Sequence, residues 1–366
     1  MKKTYIITGA NGFLGNNIIR ILEKQINEGD EIRALVLPED KLKSLDGLNC
    51  KIYKGDVTDI DSLKDIFSNI EADKVYVIHC AAIVYIKSKY NQKVYDVNVG
   101  GTKNIIKKVE ELNKSANTNL LNNEVRDGNE NNSVNQSGSY AKLVYINSVH
   151  ALPERPKNEV ITEITDFNPD KVNGKYAKTK AEIAKYVLEK ANNEGLDVCI
   201  IQPSGIIGPY DFGNSHLTQM ILDFANGRLT ACVKGGYDFV DVRDVANGVI
   251  NACEKGRKGE CYILSNDYIE VRDLLDIISE VQGRKKIKTV LPMWFAKLTA
   301  PLSETYYKIM KEPPLYTKYS LYVLTSNGHF SNDKAKKELG YTTRDIKDTI
   351  KDTVEWLKES GRIKNK

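Results

Sequence analysis

The sequence predicts an α/β chain, with a doubly wound parallel sheet over its first two hundred residues and a smaller C-terminal lobe. Three observations carry this. Short apolar runs alternate with stretches of helical period from residue 5 to residue 201. A glycine-rich turn, TGANGFLG, separates the first run from the first helix. After Pro203 the elements shorten and no longer repeat the first half.

In chain order, the apolar run 5–7 is a buried strand, and 13–28 is a helix with Leu14, Ile18, Ile21 and Leu22 on one face. Strand 31–37 follows, stopped by Pro38. Then come strand 51–53, helix 62–69, strand 75–78, helix 94–112, strand 143–146, helix 176–192 and strand 198–201. Strands alternating with helices in this way give right-handed crossovers and a parallel sheet. Residues 113–139 are rich in Asn, Ser and Gly and lack periodicity, which predicts a flexible surface insertion. Further on, 235–244 reads as a turn, a short strand and a helix start, and 271–281 is amphipathic. The stretch 291–324 concentrates aromatics and prolines, and helices 334–339 and 346–357 end the chain. We divide it into a sheet-bearing domain, 1–203, and a lobe, 204–366, some of whose segments return to the sheet.

Bulk properties exclude several classes. The 366 residues carry 53 basic and 49 acidic side chains, a net +4 without long blocks of one sign, so neither nucleic acid nor a membrane surface is an expected partner. No segment approaches the roughly 20 apolar residues of a membrane span. Six scattered cysteines form no CxxC pair and no metal-ligand cluster, which fits reduced thiols, a cytoplasmic location and no metal.

Gly9, Gly12 and Gly15 stand three apart between a strand and a helix. Residues without Cβ let the backbone approach a pyrophosphate whose charge meets the helix N-terminus. A plain strand-to-helix turn is the alternative for this motif alone. The carboxylate that would hold an adenosine ribose is missing near Val36 and Leu37, and no arginine stands there for a 2′-phosphate. Glu39, Asp40, Lys41 and Lys43 follow, so NAD and NADP both remain open.

Tyr176 and Lys180 lie one helical turn apart in YAKTK. A neighbouring ammonium would stabilise the phenolate and lower the tyrosine pKa, making it an acid/base group for hydride chemistry at a carbonyl. Ser148 ends a strand in VYINSVH, where its hydroxyl can bond the same oxygen.

With TGANGFLG, GDVTD (55–59), HCAA (79–82), NVGGT (98–102), Ser148, YAKTK, QPSGIIGP (202–209) and FVDVRDVA (239–246), the chain resembles the extended short-chain dehydrogenase/reductase family, the NAD-dependent epimerase/dehydratase superfamily. EIRALVLPED, SLYVLTSN and KAKKELGY make the dihydroflavonol reductase and 3β-hydroxysteroid dehydrogenase-like branch the most similar, with Leu37 where that branch often has arginine.

The resemblance implies a Rossmann-type domain, NAD or NADP as cofactor, a small-molecule substrate and a homodimer through helices 94–112 and 176–192. It implies that Gly9, Asn11, Gly12, Phe13, Leu14 and Gly15 take the pyrophosphate, and that Asp56 and Val57 lie beside the adenine. Ala81 and Ala82 would leave room for the cofactor, Asn98 would stand near it, and Pro203, Ser204 and Gly205 would border the nicotinamide. Tyr176 would be the acid/base, Lys180 would bond the ribose, and Ser148 would orient the carbonyl. His79, Asp241, Arg243 and Asp244 read as architectural. His150 is a candidate substrate contact, against a solvated loop histidine.

The expected activity is NAD(P)-dependent interconversion of a ketone and a secondary alcohol on a hydrophobic, steroid-like or flavonoid-like molecule. The alternative is a nucleotide-sugar epimerase with tightly bound NAD, and a non-catalytic NAD(P)-binding protein stands third. Val149 and His150 after Ser148 disfavour a dehydratase, which would place an acidic pair there. The arginines of the second half, Arg228, Arg243, Arg257, Arg272 and Arg284, are few for clamping a nucleoside diphosphate. The aromatic stretch 291–324 would instead line an apolar pocket.

Overall fold

The computed structural model of the chain describes residues 1–85, 91–127, 140–310 and 316–363. Strands β1 (Lys3–Thr8), β2 (Glu31–Val36), β4 (Lys74–His79), β5 (Ala141–Ile146) and β6 (Val198–Pro203) are short, largely apolar runs able to bury both faces, and β3 (Lys51–Lys54) is a short, mostly exposed strand beside β2. β10 (Cys261–Leu264) joins them from the C-terminal half. The sheet has the order β10-β6-β5-β4-β1-β2-β3, with every pairing parallel. The order reverses between β1 and β4, where Thr8 is in register with His79, so a crevice opens past these two strand ends.

Alternation along the strands separates two cores. Tyr5 and Ile7 face one side, against α1 (Phe13–Leu22), and Ile6 faces the other, against α3 (Thr102–Asp127). α4 (Lys175–Asn193) lies on the same side of the sheet, with Ala181, Ala184 and Val187 in the same core. α6 (Val242–Lys255) and α10 (Asp333–Leu339) cover the α1 side.

The lobe stands over the strand ends. β7 (Gly205–Ile207), β9 (Gly236–Asp241) and β11 (Asp267–Glu270) form a mixed three-stranded sheet, and β8 (Ala231–Val233) pairs with β12 (Thr289–Leu291). Helices α5 (His216–Ala225), α7 (Val271–Val281), α8 (Met293–Met310), α9 (Lys318–Val323) and α11 (Ile346–Glu359) complete it.

Three helices depart from the sequence expectation. α1 ends at Leu22, where the apolar spacing gives way to Glu23, Lys24 and Gln25 and the chain turns back through Gly29 at φ +96°. In place of a helix over 62–69 there is one tight turn, Asp61–Leu63, followed by further turns. Leu63, Ile66 and Phe67 are buried as their spacing requires, but the buried Arg33 guanidinium takes the carbonyls of Ile66, Ser68 and Asn69 and stops the helix. The third begins with α2 (Gln92–Tyr95), passes through a π-type stretch, Asp96–Gly101, and continues as α3. Residues 113–127 of the Asn-rich insertion, expected to be flexible, are therefore helical, while 128–139 lie outside the described residues.

The two sheet edges differ. β3 is largely exposed and carries Lys51 and Lys54. β10 is buried, and the Ile263 backbone N–H donates outward to the Glu163 carboxylate at 2.9 Å.

Candidate active site

At the crevice past β1 and β4 the chain encloses a cavity of about 540 Å³ that reaches from the glycine turn into the lobe. Gly9, Gly12, Phe13, Leu14 and Gly15 form one end. Gly9 has φ +64°, and a Cβ on it would stand 2.8 Å from the Ala81 backbone. A Cβ on Gly15 would collide with the Gly9 carbonyl oxygen. Helix α1 starts here with no side-chain cap and no acidic residue in its first turn, so its N-terminal amides face the cavity without an anion. Such a cradle fits a pyrophosphate.

The other residues expected around a cofactor divide into lining and supporting positions. Ala82, Pro203, Ser204 and Gly205 line the cavity. Asn11 accepts from the Ser44 hydroxyl and donates to the Lys41 carbonyl, fastening the 41–44 turn to the glycine loop. Asp56 caps its own loop by accepting from the Thr58 amide and hydroxyl, each at 2.8 Å. Val57 is buried against Gly101. The Ala81 amide donates to the Thr8 hydroxyl. Buried Asn98 accepts from the Ile83 amide at 2.8 Å and donates to the Ile83 carbonyl at 3.0 Å, so its side chain supports the loop after β4. His79 bridges the Thr8 and Thr102 hydroxyls, at 2.7 and 2.9 Å, deep beneath this surface.

Ser148, Tyr176 and Lys180 meet at the middle of the cavity. Ser148 caps the short turn after β5, and its Oγ accepts from the His150 amide at 3.2 Å. Tyr176 occupies the first turn of α4, which starts after Gly174 at φ +95°, and its phenol shares a hydrogen bond with Ser148. Lys180 is buried one turn further on, its Nζ donating to the Ile146 carbonyl at 3.3 Å.

The electrostatics differ from expectation. Burial raises the Tyr176 pKa above its ordinary value, opposed by the Ser148 hydrogen bond. The expected lowering by Lys180 is absent because the ammonium is held on the Ile146 carbonyl, and burial lowers its own pKa to about 8, with Cys80 opposing.

His150 lines the cavity as part of an aromatic cluster and is not a solvated loop residue. Its ring stacks on Tyr237 at 5.9 Å, meets Tyr176 edge-on at 5.9 Å and lies 5.8 Å from Tyr319, whose hydroxyl is 3.3 Å from Nδ1. Burial lowers its pKa to about 4, so the imidazole is neutral at pH 7. Tyr237 and Tyr319 were not singled out from the sequence. The only hint was that both lie in aromatic-bearing segments of the second half, GGYDF and KYSLY.

Beneath Ser204, buried Asp238 accepts from the Ser204 hydroxyl and the Asn266 amide. Burial raises its pKa to about 6 against those two hydrogen bonds. Past the aromatic cluster the walls are apolar, including Leu217, Met220, Phe239, Leu274 and Leu321. No arginine is among the described lining residues. Arg228, Arg243 and Arg257 are engaged elsewhere, with Asp223, with Asp241 and Asp352, and with Glu260 and Glu338.

Sterol demethylase protein B of Methylococcus capsulatus is 31% identical, the alignment covering 98% of this chain and 100% of that protein. A putative dihydroflavonol 4-reductase of Synechocystis is 26% identical, covering 100% of this chain and 97% of its own. The crystal structure of gox2253 shares the architecture with a TM-score of 0.76 at 30% identity, covering 99% of both chains. Residues 5–265 match the NAD dependent epimerase/dehydratase family, and the chain belongs to that family.

Proposed function

We propose that this protein is an NAD(P)-dependent oxidoreductase that interconverts a ketone and a secondary alcohol on a hydrophobic, sterol-like molecule. One observation carries the reading: Ser148 and Tyr176 stand between an uncapped glycine-rich helix N-terminus and a cavity with apolar walls. The sterol demethylase protein B relative supports the substrate class. The absence of arginine among the described lining residues speaks against the epimerase reading, since a nucleoside diphosphate needs charge to replace its hydration.

Amides at 13–15 would hold the pyrophosphate, Lys180 would bond the nicotinamide ribose, and Pro203 to Gly205 would border the ring. The nicotinamide, when bound, supplies or accepts the hydride. Ser148 Oγ positions the substrate oxygen beside Tyr176. In the reducing direction the Tyr176 hydroxyl gives its proton to that oxygen, and in the oxidising direction it takes the proton back. A phenol with a raised pKa is fully protonated at neutral pH, the state that reduction requires. The apolar walls exclude water from the reacting carbon.

In the Tyr176→Phe variant, turnover of a ketosteroid with reduced nicotinamide cofactor should fall by about 10²–10⁴. Cofactor binding, followed by nucleotide fluorescence, should stay unchanged. Undiminished turnover in that variant would overturn the mechanism. Denaturing freshly purified protein and weighing any released nucleotide by mass spectrometry separates the two activities. Equimolar retained NAD would favour the epimerase, which recycles its cofactor in place. Reversible binding of added cofactor favours the dehydrogenase, and the tighter of NADH and NADPH settles what Leu37 leaves open.

A further inference from the structure

Helix α8 carries a stripe of large apolar side chains turned outward. Trp294, Leu298, Leu302 and Ile309 are 68%, 68%, 71% and 75% exposed. With Tyr306, they follow one another at spacings of four and three residues, a single face along some 22 Å of helix at about 1.5 Å per residue. Scattered exposed apolar residues need no explanation, but a continuous row on one helix does. The opposite face is equally apolar and is buried: Ala296 and Ala300 pack on Leu321 of α9, and Ala296 lines the cavity. Nothing in the packing of the lobe therefore requires large apolar residues on the outer side.

The charge around this helix is as uneven as its polarity. Between residues 283 and 318 stand eight lysines and arginines against two glutamates, a larger positive excess than the +4 of the whole chain. The rest of the molecule is thus net acidic, and an overall balance conceals a basic region. Lys285 and Lys288 lie just before the strand that leads into α8, Lys297 lies on the helix, and Lys318 opens the packed α9. All four are exposed, and none forms an ion pair among the described residues. Lys286, by contrast, is held by Asp276 and Glu280.

We propose that α8 docks on the surface of an anionic phospholipid bilayer, its Trp294–Leu298–Leu302–Ile309 row entering the acyl boundary and the neighbouring lysines meeting the headgroups. The helix lies on the bilayer and does not cross it: among the described residues no helix is long and apolar enough to span. A second protein copy would satisfy the apolar row but would bring an identical set of lysines against the first, a like-charge contact that a lipid headgroup layer avoids. The docking places the outer wall of the cavity, at Ala296, one helix diameter from the lipid. It does not depend on which reaction the site performs.

The test uses the full chain with vesicles of phosphatidylcholine alone or containing a minority of phosphatidylglycerol. The protein should sediment with the anionic vesicles, and its tryptophan emission should shift to the blue. That shift should vanish in Trp294→Phe, because Trp356 is already buried. Leu298→Asp and Leu302→Asp should each lower partitioning about tenfold while leaving the melting temperature unchanged. The pair Lys285→Glu and Lys288→Glu should remove the preference for phosphatidylglycerol. No partitioning to either vesicle overturns the proposal, and equal partitioning to both overturns the anionic assignment. A dimer in sedimentation velocity that Leu298→Asp dissociates would assign the stripe to a second copy. Vesicle binding is read without turnover, so failure of the proposed reaction leaves this result legible.

Discussion

Asp238 is a buried acid with a pKa of about 6, above the ordinary 3.8, and the direction of that shift determines its effect on stability. Between about pH 4 and pH 6 the folded state binds more protons here than the unfolded state, so its contribution to stability falls as pH rises through that window. At higher pH the buried charge costs about 3 kcal/mol, an upper bound for a two-unit shift. Asparagine keeps an oxygen for the Ser204 hydroxyl and the Asn266 amide without the charge. Asp238→Asn should therefore melt a few degrees above the wild type at pH 8, and the gap should close near pH 4; a constant gap would contradict the assignment. His150 and His79, with pKa values lowered to about 4 and about 3, act in the opposite sense, losing stability as pH falls below about 6.5, but equally in both proteins. At this scale the sequence is informative where the residues proposed for the chemistry lie close in the chain. Tyr176 and Lys180 share a helix turn, and the glycines share a loop. Tyr237 and Tyr319 were not legible, because they reach His150 only through the folding of the lobe, and a tyrosine in an apolar segment looks the same in a core.

The elements show where local pattern stops being sufficient. Apolar spacing located β1 to β6 of the large sheet but not β10, and it could not foresee that Arg33, far away in β2, would take the carbonyls that end the turn after Leu63. Nor did it reveal the π-type stretch, whose wider winding has a visible cause in tertiary packing. Gly101 admits Val57 at a distance that a Cβ would forbid, and Asn98 reaches the Ile83 backbone from the same stretch. The Asn-rich composition after residue 112 misled in another way, since a helix already nucleated by Ile105, Ile106 and Val109 on the sheet extends into residues that would not begin one alone. Asn98→Ala leaves an amide and a carbonyl of Ile83 without their partner. It should cost about 1–3 kcal/mol in urea denaturation, and a loss below about 0.5 kcal/mol would show that water replaces the side chain.

At the scale of the molecule, sheet and lobe are joined by charge as well as by apolar packing. Asp241, Arg243 and Asp244 at the start of α6 bind Asp352 of α11 and Arg344 just before it. Asp244 alone accepts from the Arg344 amide at 2.8 Å and from its guanidinium at 2.7 and 2.9 Å. Removing one member of a largely buried group leaves the other uncompensated, so Asp244→Ala should destabilise by about 3–5 kcal/mol in chemical denaturation, and a loss under about 1 kcal/mol would make the contact incidental. The change of rhythm after Pro203 is visible in the sequence, whereas the recruitment of β10 to the sheet is not specified by any single motif.

The contrast between the two sheet edges bears on how the protein behaves in a crowd. An unpaired strand edge is a template on which another chain can add. At β3 that addition would press foreign backbone against Lys51 and Lys54, and at β10 the Ile263 amide is already satisfied by Glu163. Neither border invites an eighth strand. Growth of the large sheet by strand addition is thus opposed at both ends by quite different means, one by charge and one by occupancy.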